Sequence, residues 1–460
     1  MKRFSTVLVL ILINLTSCYA QKNKDVTPNE IKLIIEKIAD SLEFYYVDLY
    51  KAKQINTLLK ANEKQGSYNT IKDPDTLAKK LTADLRYFSK DLHLWLGHKP
   101  KNEITKIAEN TLDDYSKGLS SNFGVQEVKI LDGNIGYMNI TSFSNWNFLE
   151  QTKSVMTSSL KFIENTDAII FDVRNNSGGV PTLVAFLCSY LFEEKPVHLA
   201  QYYHRYRNDG YGLYTYKYIS GKRLTKIPVF ILVNNKSASA AEEFAYFLKH
   251  QKRAVVIGEA TMGAGYGVMS HRLSNRFVIN ISSEEDINPI TKTNFEGVGV
   301  IPNIKVERQD AFSTAISLAK KAASTYKVEK HKKLQTLIEK YYRINENLNS
   351  YQIIHIIKEC QKENLISRTD INRLGYKFLE NNPSIAESIF ELNTKLYPQS
   401  SNVFDSYGDG LKANGKLEEA LQAYKKAIEI GELIGSSNMA IYKANIKAVE
   451  KLIANNGKKF

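Results

Sequence analysis

A serine stands at the point where a buried strand gives way to a helix. The apolar run Val229 to Val233 predicts the strand, a polar turn follows, and a helical pattern from Ala240 to Lys249 begins directly after Ser239. We expect the Ser239 hydroxyl at a helix amino terminus, where unpaired N–H groups and the helix dipole favour an anion such as a tetrahedral intermediate. The alternative is structural: Ser237 and Ser239 only cap the helix, as serines in such turns often do.

Two glycines form a second turn of interest. Gly178 and Gly179 follow the apolar run Ala168 to Val173, which predicts another strand. Glycine lets a backbone approach a substrate closely, so the N–H groups of Ala240 and of this glycine turn are candidates for an oxyanion hole. A phosphate site is less favoured, because the sequence has no Walker lysine and no acidic residue spaced to bind a ribose.

Three segments, in the same order and at similar spacing, resemble the tail-specific protease superfamily. They run from Phe171 to Gly179, from Asn234 to Glu242 and from Phe295 to Val300, and the resemblance extends over Gly133 to Val306. It implies an α/β fold with a twisted sheet of the ClpP/crotonase-like βαβ type, and serine peptidase chemistry. Ser239 is the implied nucleophile, because it occupies the second hydroxyl position of the superfamily's Ser/Thr-Ala-Ser-Ala pattern.

A serine needs a base to become nucleophilic at neutral pH. In the Ser–Lys branch of the superfamily a lysine supplies it from a glycine-rich loop, here Thr261 to Gly265, but Ala264 occupies the lysine position. The branch that includes the tricorn core protease and the interphotoreceptor retinoid-binding protein modules uses a histidine instead. The segment Phe88 to Leu94 resembles that element, so the resemblance implies His93 as base and Glu296 as the carboxylate that orients it.

These assignments leave alternatives open. His93 could simply close an amphipathic helix beside Trp95, Glu296 could be a charge on a turn, and the site could be inactive without the lysine. The retinoid-binding relatives also imply a second function class, in which the fold carries a lipid or peptide ligand without proteolysis. The interval from Lys99 to Gly133 is too short for the peptide-binding PDZ module that many members carry, which puts carboxyl-terminal specificity in doubt.

The pattern of apolar residues divides the chain into four parts. A signal segment at 1–20 precedes an amino-terminal helical domain at 21–125, the protease-like domain at 126–328 and an all-helical domain at 329–460. Spacing typical of tetratricopeptide repeats occurs in the last part, and it predicts helix pairs that could bind a protein partner. A tyrosine-rich stretch contains Asp209-Gly210, which predicts a hairpin turn at that dipeptide.

The amino terminus has the charge and apolar run of an export signal. Cleavage could follow Ala20, or Leu15 to Cys18 could be a lipobox whose cysteine is lipidated at position 18. We expect a periplasmic protein or an outer-membrane-attached lipoprotein, with secretion as the alternative.

Composition narrows the remaining classes. The net charge of +13 comes from scattered residues, so a solvated basic surface is favoured over nucleic-acid binding. Three cysteines exclude a disulfide framework, although Cys188 and Cys360 could pair. The carboxylates and histidines lack metal-ligand spacing, so we expect neither a metal nor another cofactor. The resemblance implies a peptide or an unfolded protein as the substrate.

Overall fold

The computed structural model of the 460-residue chain describes residues 25–98, 103–144 and 146–456. The chain divides after Tyr326 into two compact units. The first unit contains two β-sheets with their helices, and the second is built from helices throughout its described residues. This arrangement confirms the predicted α/β class with helical regions at both ends. No helix among the described residues is both long enough and apolar enough to cross a membrane. The predicted signal segment lies outside them.

The amino-terminal region begins with three helices, α1 (Pro28–Tyr45), α2 (Leu49–Lys64) and α3 (Pro74–Ser89). Side chains cap each start: Thr27, Asp48 and Asp73 accept hydrogen bonds from backbone N–H groups in the first turn. Most of the apolar residues that recur at helical spacing in α1 are buried, whereas Tyr45 is half-buried. The buried residues are Ile31, Ile34, Ile35, Ile38 and Leu42.

A largely parallel sheet forms the centre of the first unit. Its strands are β2 (Val125–Leu131), β3 (Ile135–Ile140), β4 (Ala168–Asp172), β7 (Val229–Val233), β8 (Val255–Gly258) and β11 (Ile304–Lys305), and their order is β11-β8-β7-β4-β3-β2. Only β2 runs antiparallel to its neighbour. Strands β4 and β7 are apolar and buried almost throughout because helices cover both faces of a parallel sheet.

Helices on the two faces of this sheet complete its core. They are α5 (Leu149–Ile163), α6 (Pro181–Ser189), α7 (Ala240–His250) and the part of α8 (Ala311–Tyr342) that precedes residue 327. One apolar cluster includes residues of α5, α6 and α7, and the cluster on the opposite face includes a row of alanines from α8. Burial on both faces fixes where β4 and β7 end, and their ends carry the two turns singled out in the sequence.

A second sheet includes one strand from the amino-terminal region, where the sequence pattern predicted only helices. Its strands are β1 (Trp95–His98), β5 (His198–His204), β6 (Asp209–Tyr214), β9 (Tyr266–Arg272) and β10 (Phe277–Ile287). Strand β1 pairs with β10, so the region predicted to be helical also contains a strand shortly after His93. Helix α4 (Glu103–Ser120) then leads to β2.

The tyrosine-rich stretch forms the predicted hairpin, but its turn is displaced. Asp209 pairs with His204 and Gly210 pairs with Tyr203, so both residues of the dipeptide belong to strand β6. The turn occupies residues 205–208, where Asn208 adopts φ 52°. Asparagine tolerates this left-handed conformation, which is why the turn forms earlier than the Asp-Gly pair suggested.

The second unit consists of helices with small residues at their contacts. They are α9 (Ser350–Lys362), α10 (Arg368–Leu379), α11 (Pro383–Leu396), α12 (Ser401–Ala413), α13 (Leu417–Ile434) and α14 (Met439–Asn456). A Cβ on Gly375 would lie 2.4 Å from the Phe390 ring, and one on Gly408 would lie 2.4 Å from the Tyr424 ring. Glycine therefore permits the close helix contacts, while the assignment as tetratricopeptide repeats stays a prediction. Cys188 and Cys360 are both free, so the disulfide left open by the sequence does not form.

Carboxyl groups are buried between α7 and the second sheet. The Tyr202 hydroxyl donates to Glu243 Oε1 at 2.9 Å, and Glu243 is almost fully buried. Burial, together with the nearby charges of Glu284 and Glu242, raises the pKa of Glu243 to about 8. Burial also raises the pKa of Asp286 on β10.

We predict that Glu243 makes the protein less stable as the pH rises. The pKa of Glu243 is higher in the folded state than in the unfolded state. Its contribution to the free energy of unfolding is therefore fully present below about pH 4.5 and is lost as the pH approaches about 8. Glu243→Gln keeps an acceptor for Tyr202 and removes the ionisation. Urea midpoints at pH 5 and pH 8 should therefore differ less in this variant than in the wild type. Glu127→Gln on exposed β2 is the control, and an equal pH dependence in Glu243→Gln and the wild type would contradict the prediction.

Candidate active site

The two candidate turns meet at one edge of the parallel sheet. Strands β4 and β7 are adjacent and parallel, with Asp172 opposite Leu232, so the turns that follow them lie side by side. Two reciprocal hydrogen bonds join them. Asn175 N–H donates to Asn234 Oδ1 at 3.0 Å, and Asn234 Nδ2 donates to Asn175 Oδ1 at 3.1 Å. The Ser237 hydroxyl adds a third link by donating to Val173 O at 2.8 Å.

Ser239 holds a strained backbone conformation at the start of α7. Its φ is 53° and its ψ is −123°, which a residue with a side chain rarely adopts. Gly178, at φ 98°, packs directly against it: a Cβ on Gly178 would lie 2.7 Å from Ser239 Cβ and 2.8 Å from Ala238 O. A strained serine on a sharp turn between strand and helix is the geometry of a nucleophile elbow, reached here without the Gly-x-Ser-x-Gly sequence.

Three backbone N–H groups near Ser239 have different roles. The Gly178 N–H donates to Asn176 Oδ1 at 2.8 Å. The N–H groups of Gly179 and Ala240 have no acceptor within the described residues. Of the three predicted oxyanion-hole residues, Gly179 and Ala240 therefore offer free N–H donors. Gly178 has no side chain and so leaves room for Ser239.

Glu242 connects the nucleophile turn to the loop at 261–265. Its fully buried carboxylate accepts from the N–H of Ser239 at 2.9 Å, and from the N–H groups of Gly263 at 2.7 Å and Ala264 at 2.8 Å. The Thr261 hydroxyl also donates to it at 2.5 Å. Burial raises the pKa of Glu242, although each of these donors opposes that effect. No role was predicted for Glu242 from the sequence, and its position three residues after a helix cap was the available signal.

Glu296 lies on the turn that packs against this loop. The Gly297 N–H donates to Gly263 O at 2.9 Å, and the Gly265 N–H donates to Glu296 Oε2 at 2.7 Å. Burial raises the pKa of Glu296 to about 7, and the charge of Asp91 adds to the increase. Glu296 is therefore within electrostatic range of the loop that carries His93.

His93 lies between α3 and β1, in a largely buried position. Its backbone N–H donates to Asp91 Oδ1 at 2.8 Å, and its ring Nδ1 lies 4.0 Å from the same oxygen. Burial lowers the pKa of His93, whereas the nearby charge of Asp91 acts in the opposite direction. The loop is braced from α3, because Arg86 Nε donates to Leu94 O at 2.9 Å.

The structure does not join all the predicted residues by hydrogen bonds. The structure places Ser239 beside Gly178 and Ala240, but within the described residues no hydrogen bond joins His93 to Ser239 or to Glu296. The lysine position of the Ser–Lys branch is occupied by the buried Ala264, and Lys249 Nζ donates to Ile301 O at 2.6 Å.

Comparison with known families decides the classification of this sheet domain. Residues 134–306 match the family model described as peptidase family S41, and residues 27–127 match the model of the amino-terminal domain of S41 peptidases in eukaryotic interphotoreceptor retinoid-binding protein. Residues 134–306 form a peptidase family S41 domain. Ser239 and Glu296 lie within the S41 domain, and His93 lies within the amino-terminal match.

Curated relatives of the S41 domain are carboxyl-terminal processing proteases. The carboxy-terminal processing protease CtpA of Bacillus subtilis is 25% identical over 281 residues, which cover 60% of this chain and 58% of CtpA. The tail-specific protease of Haemophilus influenzae is 30% identical over 151 residues, which cover 32% of this chain and 20% of that protein. The chain thus spans less than two thirds of either relative.

Two solved structures align with this chain with low TM-scores. The photosystem II D1 C-terminal processing protease gives a TM-score of 0.41 at 15% identity, over 60% of this chain and 93% of its own. The tricorn protease gives a TM-score of 0.41 at 11% identity, over 65% of this chain and 37% of its own.

We predict that Gly178→Ala in the S41 domain displaces Ser239. The added methyl group would overlap Ser239 Cβ and Ala238 O, on top of the strain of a positive φ, which alone costs about 1–3 kcal/mol. Thermal unfolding should show a lower midpoint than the wild type. Gly221→Ala is a matched control, because Gly221 has φ 96° but a Cβ there would meet only one atom, 3.9 Å away. Equal destabilisation by both substitutions would mean that strain, and not the Ser239 contact, determines the effect.

Proposed function

We propose that the protein is a serine peptidase that hydrolyses peptide bonds through an acyl-enzyme on Ser239, with His93 as general base. The observation that carries the proposal is the setting of Ser239. A strained serine begins a helix, and the N–H groups of Ala240, the next residue, and of Gly179, in the adjoining turn, have no acceptor among the described residues. These groups suit the developing negative charge of a tetrahedral intermediate, and they are fixed before substrate arrives.

The reaction divides into two steps with one proton path. His93 takes the Ser239 hydroxyl proton as Oγ attacks the carbonyl carbon, and the carbonyl oxygen becomes an oxyanion held by the Gly179 and Ala240 N–H groups. The imidazolium then gives its proton to the leaving amine as the peptide C–N bond breaks. In the second step His93 activates a water molecule, which releases the acyl group as a carboxylic acid and restores Ser239.

The substrate class follows from the S41 domain and from its relatives. Relatives named as carboxyl-terminal processing proteases support peptide or unfolded protein segments as substrates. Recognition of a free carboxyl terminus is not part of the proposal, because residues 103–120 form helix α4 in the interval where a PDZ module would be expected.

Location and partners follow from the sequence signals. The proposal places the mature peptidase outside the cytoplasm, either released by cleavage after Ala20 or attached to lipid at Cys18. The helices of the second unit are proposed to bind a protein partner.

Labelling of the nucleophile tests the proposal directly. A fluorophosphonate probe should modify the wild type, and Ser239→Ala should abolish the labelling because the attacking oxygen is removed. Ser237→Ala is the control, since the Ser237 hydroxyl donates to Val173 O and is fully buried. Mass spectrometry should place the adduct on Ser239. A wild type labelled as weakly as Ser239→Ala, with a lipid that co-purifies, would support a ligand carrier instead.

Replacement of the base tests the Ser–His assignment. We expect His93→Ala to slow labelling and peptide hydrolysis by about 10²–10⁴-fold, the usual contribution of a general base. Burial lowers the His93 pKa, so the neutral imidazole persists in acid and the wild-type acid limb should lie below the ordinary histidine value of 6.5. Lys249→Ala should leave the rate unchanged. A large loss in Lys249→Ala with a normal rate in His93→Ala would reject the assignment.

A further inference from the structure

Three buried polar atoms without hydrogen-bond partners are associated with the loop before β1. They are Tyr46 Oη, Asp91 Oδ2 and His93 Nδ1, and none has a partner of normal geometry in the described part of the chain. Tyr46 and Asp91 are essentially inaccessible to solvent. Burial raises the pKa of the Tyr46 hydroxyl, and the charge of Asp91 adds to the increase. Unpaired buried polar atoms are costly, so a cluster of three calls for an interaction among them.

Asp91 is held so that its carboxylate faces His93. The Asp91 N–H donates to Ser89 Oγ at 2.9 Å, and Asp91 Oδ1 accepts the His93 backbone N–H at 2.8 Å. The same oxygen is 4.0 Å from His93 Nδ1. This separation is longer than a hydrogen bond, but active-site hydrogen bonds are often long in ligand-free structures and shorten when the substrate binds.

Glu296 is placed differently. Its Oε2 accepts the Gly265 N–H at 2.7 Å, and within the described residues it lies within ion-pair distance of no histidine. Its pKa of about 7 also means that it is partly neutral when the enzyme would act. Among the described residues, the carboxylate within ion-pair distance of the His93 ring is therefore Asp91, two residues before it in the sequence.

We propose that Asp91 is the positioning residue for His93. The His93 Nδ1–H donates to the Asp91 carboxylate and the Tyr46 hydroxyl donates to the other oxygen, so His93 Nε2 is left unprotonated to accept the Ser239 proton. This inference rests on the proposed function for the role of Nε2, but the hydrogen bond itself exists or fails independently of activity.

Nitrogen-15 NMR of histidine-labelled protein tests the hydrogen bond without any substrate. The chain has 8 histidines, and comparison with His93→Ala identifies the His93 signals, while the tautomer itself is read from the wild type. In the wild type we expect the neutral tautomer with the proton on Nδ1. A neutral His93 with its proton on Nε2 would overturn the proposal.

Two isosteric variants separate Asp91 from Glu296. Asp91→Asn removes a negative charge 4.0 Å from the ring, so the His93 pKa should fall by about one unit or more, and the amide can donate to Nδ1 and shift the proton to Nε2. Glu296→Gln should change the His93 pKa less and leave the tautomer unchanged. A larger effect of Glu296→Gln than of Asp91→Asn would assign the positioning role to Glu296.

Kinetics then connect the hydrogen bond to catalysis. Asp91→Asn should lower kcat for peptide hydrolysis by about 10⁴-fold with little change in KM, the size of effect known when a triad histidine is held in the wrong tautomer. The expected NMR result in a protein that Ser239 probes do not label would retain the Asp91–His93 pair and reject the peptidase. Labelling that depends on His93 but not on Asp91 would retain the peptidase and reject the positioning role of Asp91.

Discussion

One buried carboxylate holds the nucleophile in place. Glu242 accepts from the Ser239 N–H, the Thr261 hydroxyl and two N–H groups of the loop at 261–265. One buried carboxylate therefore binds four donors. The loop in turn carries the Glu296 turn, because Thr261 Oγ1 accepts the Val300 N–H at 2.6 Å. Hydrogen bonds to a charged group are stronger than those between neutral groups, which explains how three separate segments can share one geometry.

The strain at Ser239 is possible because its surroundings are fixed on two sides. The Glu242 contact fixes the helix side, and the paired amides of Asn175 and Asn234 fix the strand side. Gly178 fills the remaining space without a side chain, at a distance that no other residue permits. The central sheet therefore acts on the chemistry indirectly: it aligns the ends of β4 and β7, and the turns then hold the serine in a conformation that isolated peptides avoid.

Much of this centre could be predicted from the sequence, because it depends on local signals. The strands Ala168–Asp172 and Val229–Val233 form where apolar runs predicted them, since a strand buried on both faces needs a continuous apolar run. Strand β1 was missed because it is short and pairs with β10, whose residues lie far along the chain. The role of Glu242 was missed for a similar reason: its partners at 261–265 become neighbours only in the folded protein.

The carboxylate near His93 was also missed from the sequence, although it is close to His93 along the chain. Family resemblance pointed to Glu296, which is remote in sequence, whereas the carboxylate in contact with the His93 backbone is Asp91, two residues away. Burial raises the pKa of Glu296, and the charge of Asp91 adds to the increase. In the proposed mechanism Asp91 therefore supplies the negative charge beside His93, while the Glu296 carboxyl group binds the Gly265 N–H and holds the loop at 261–265.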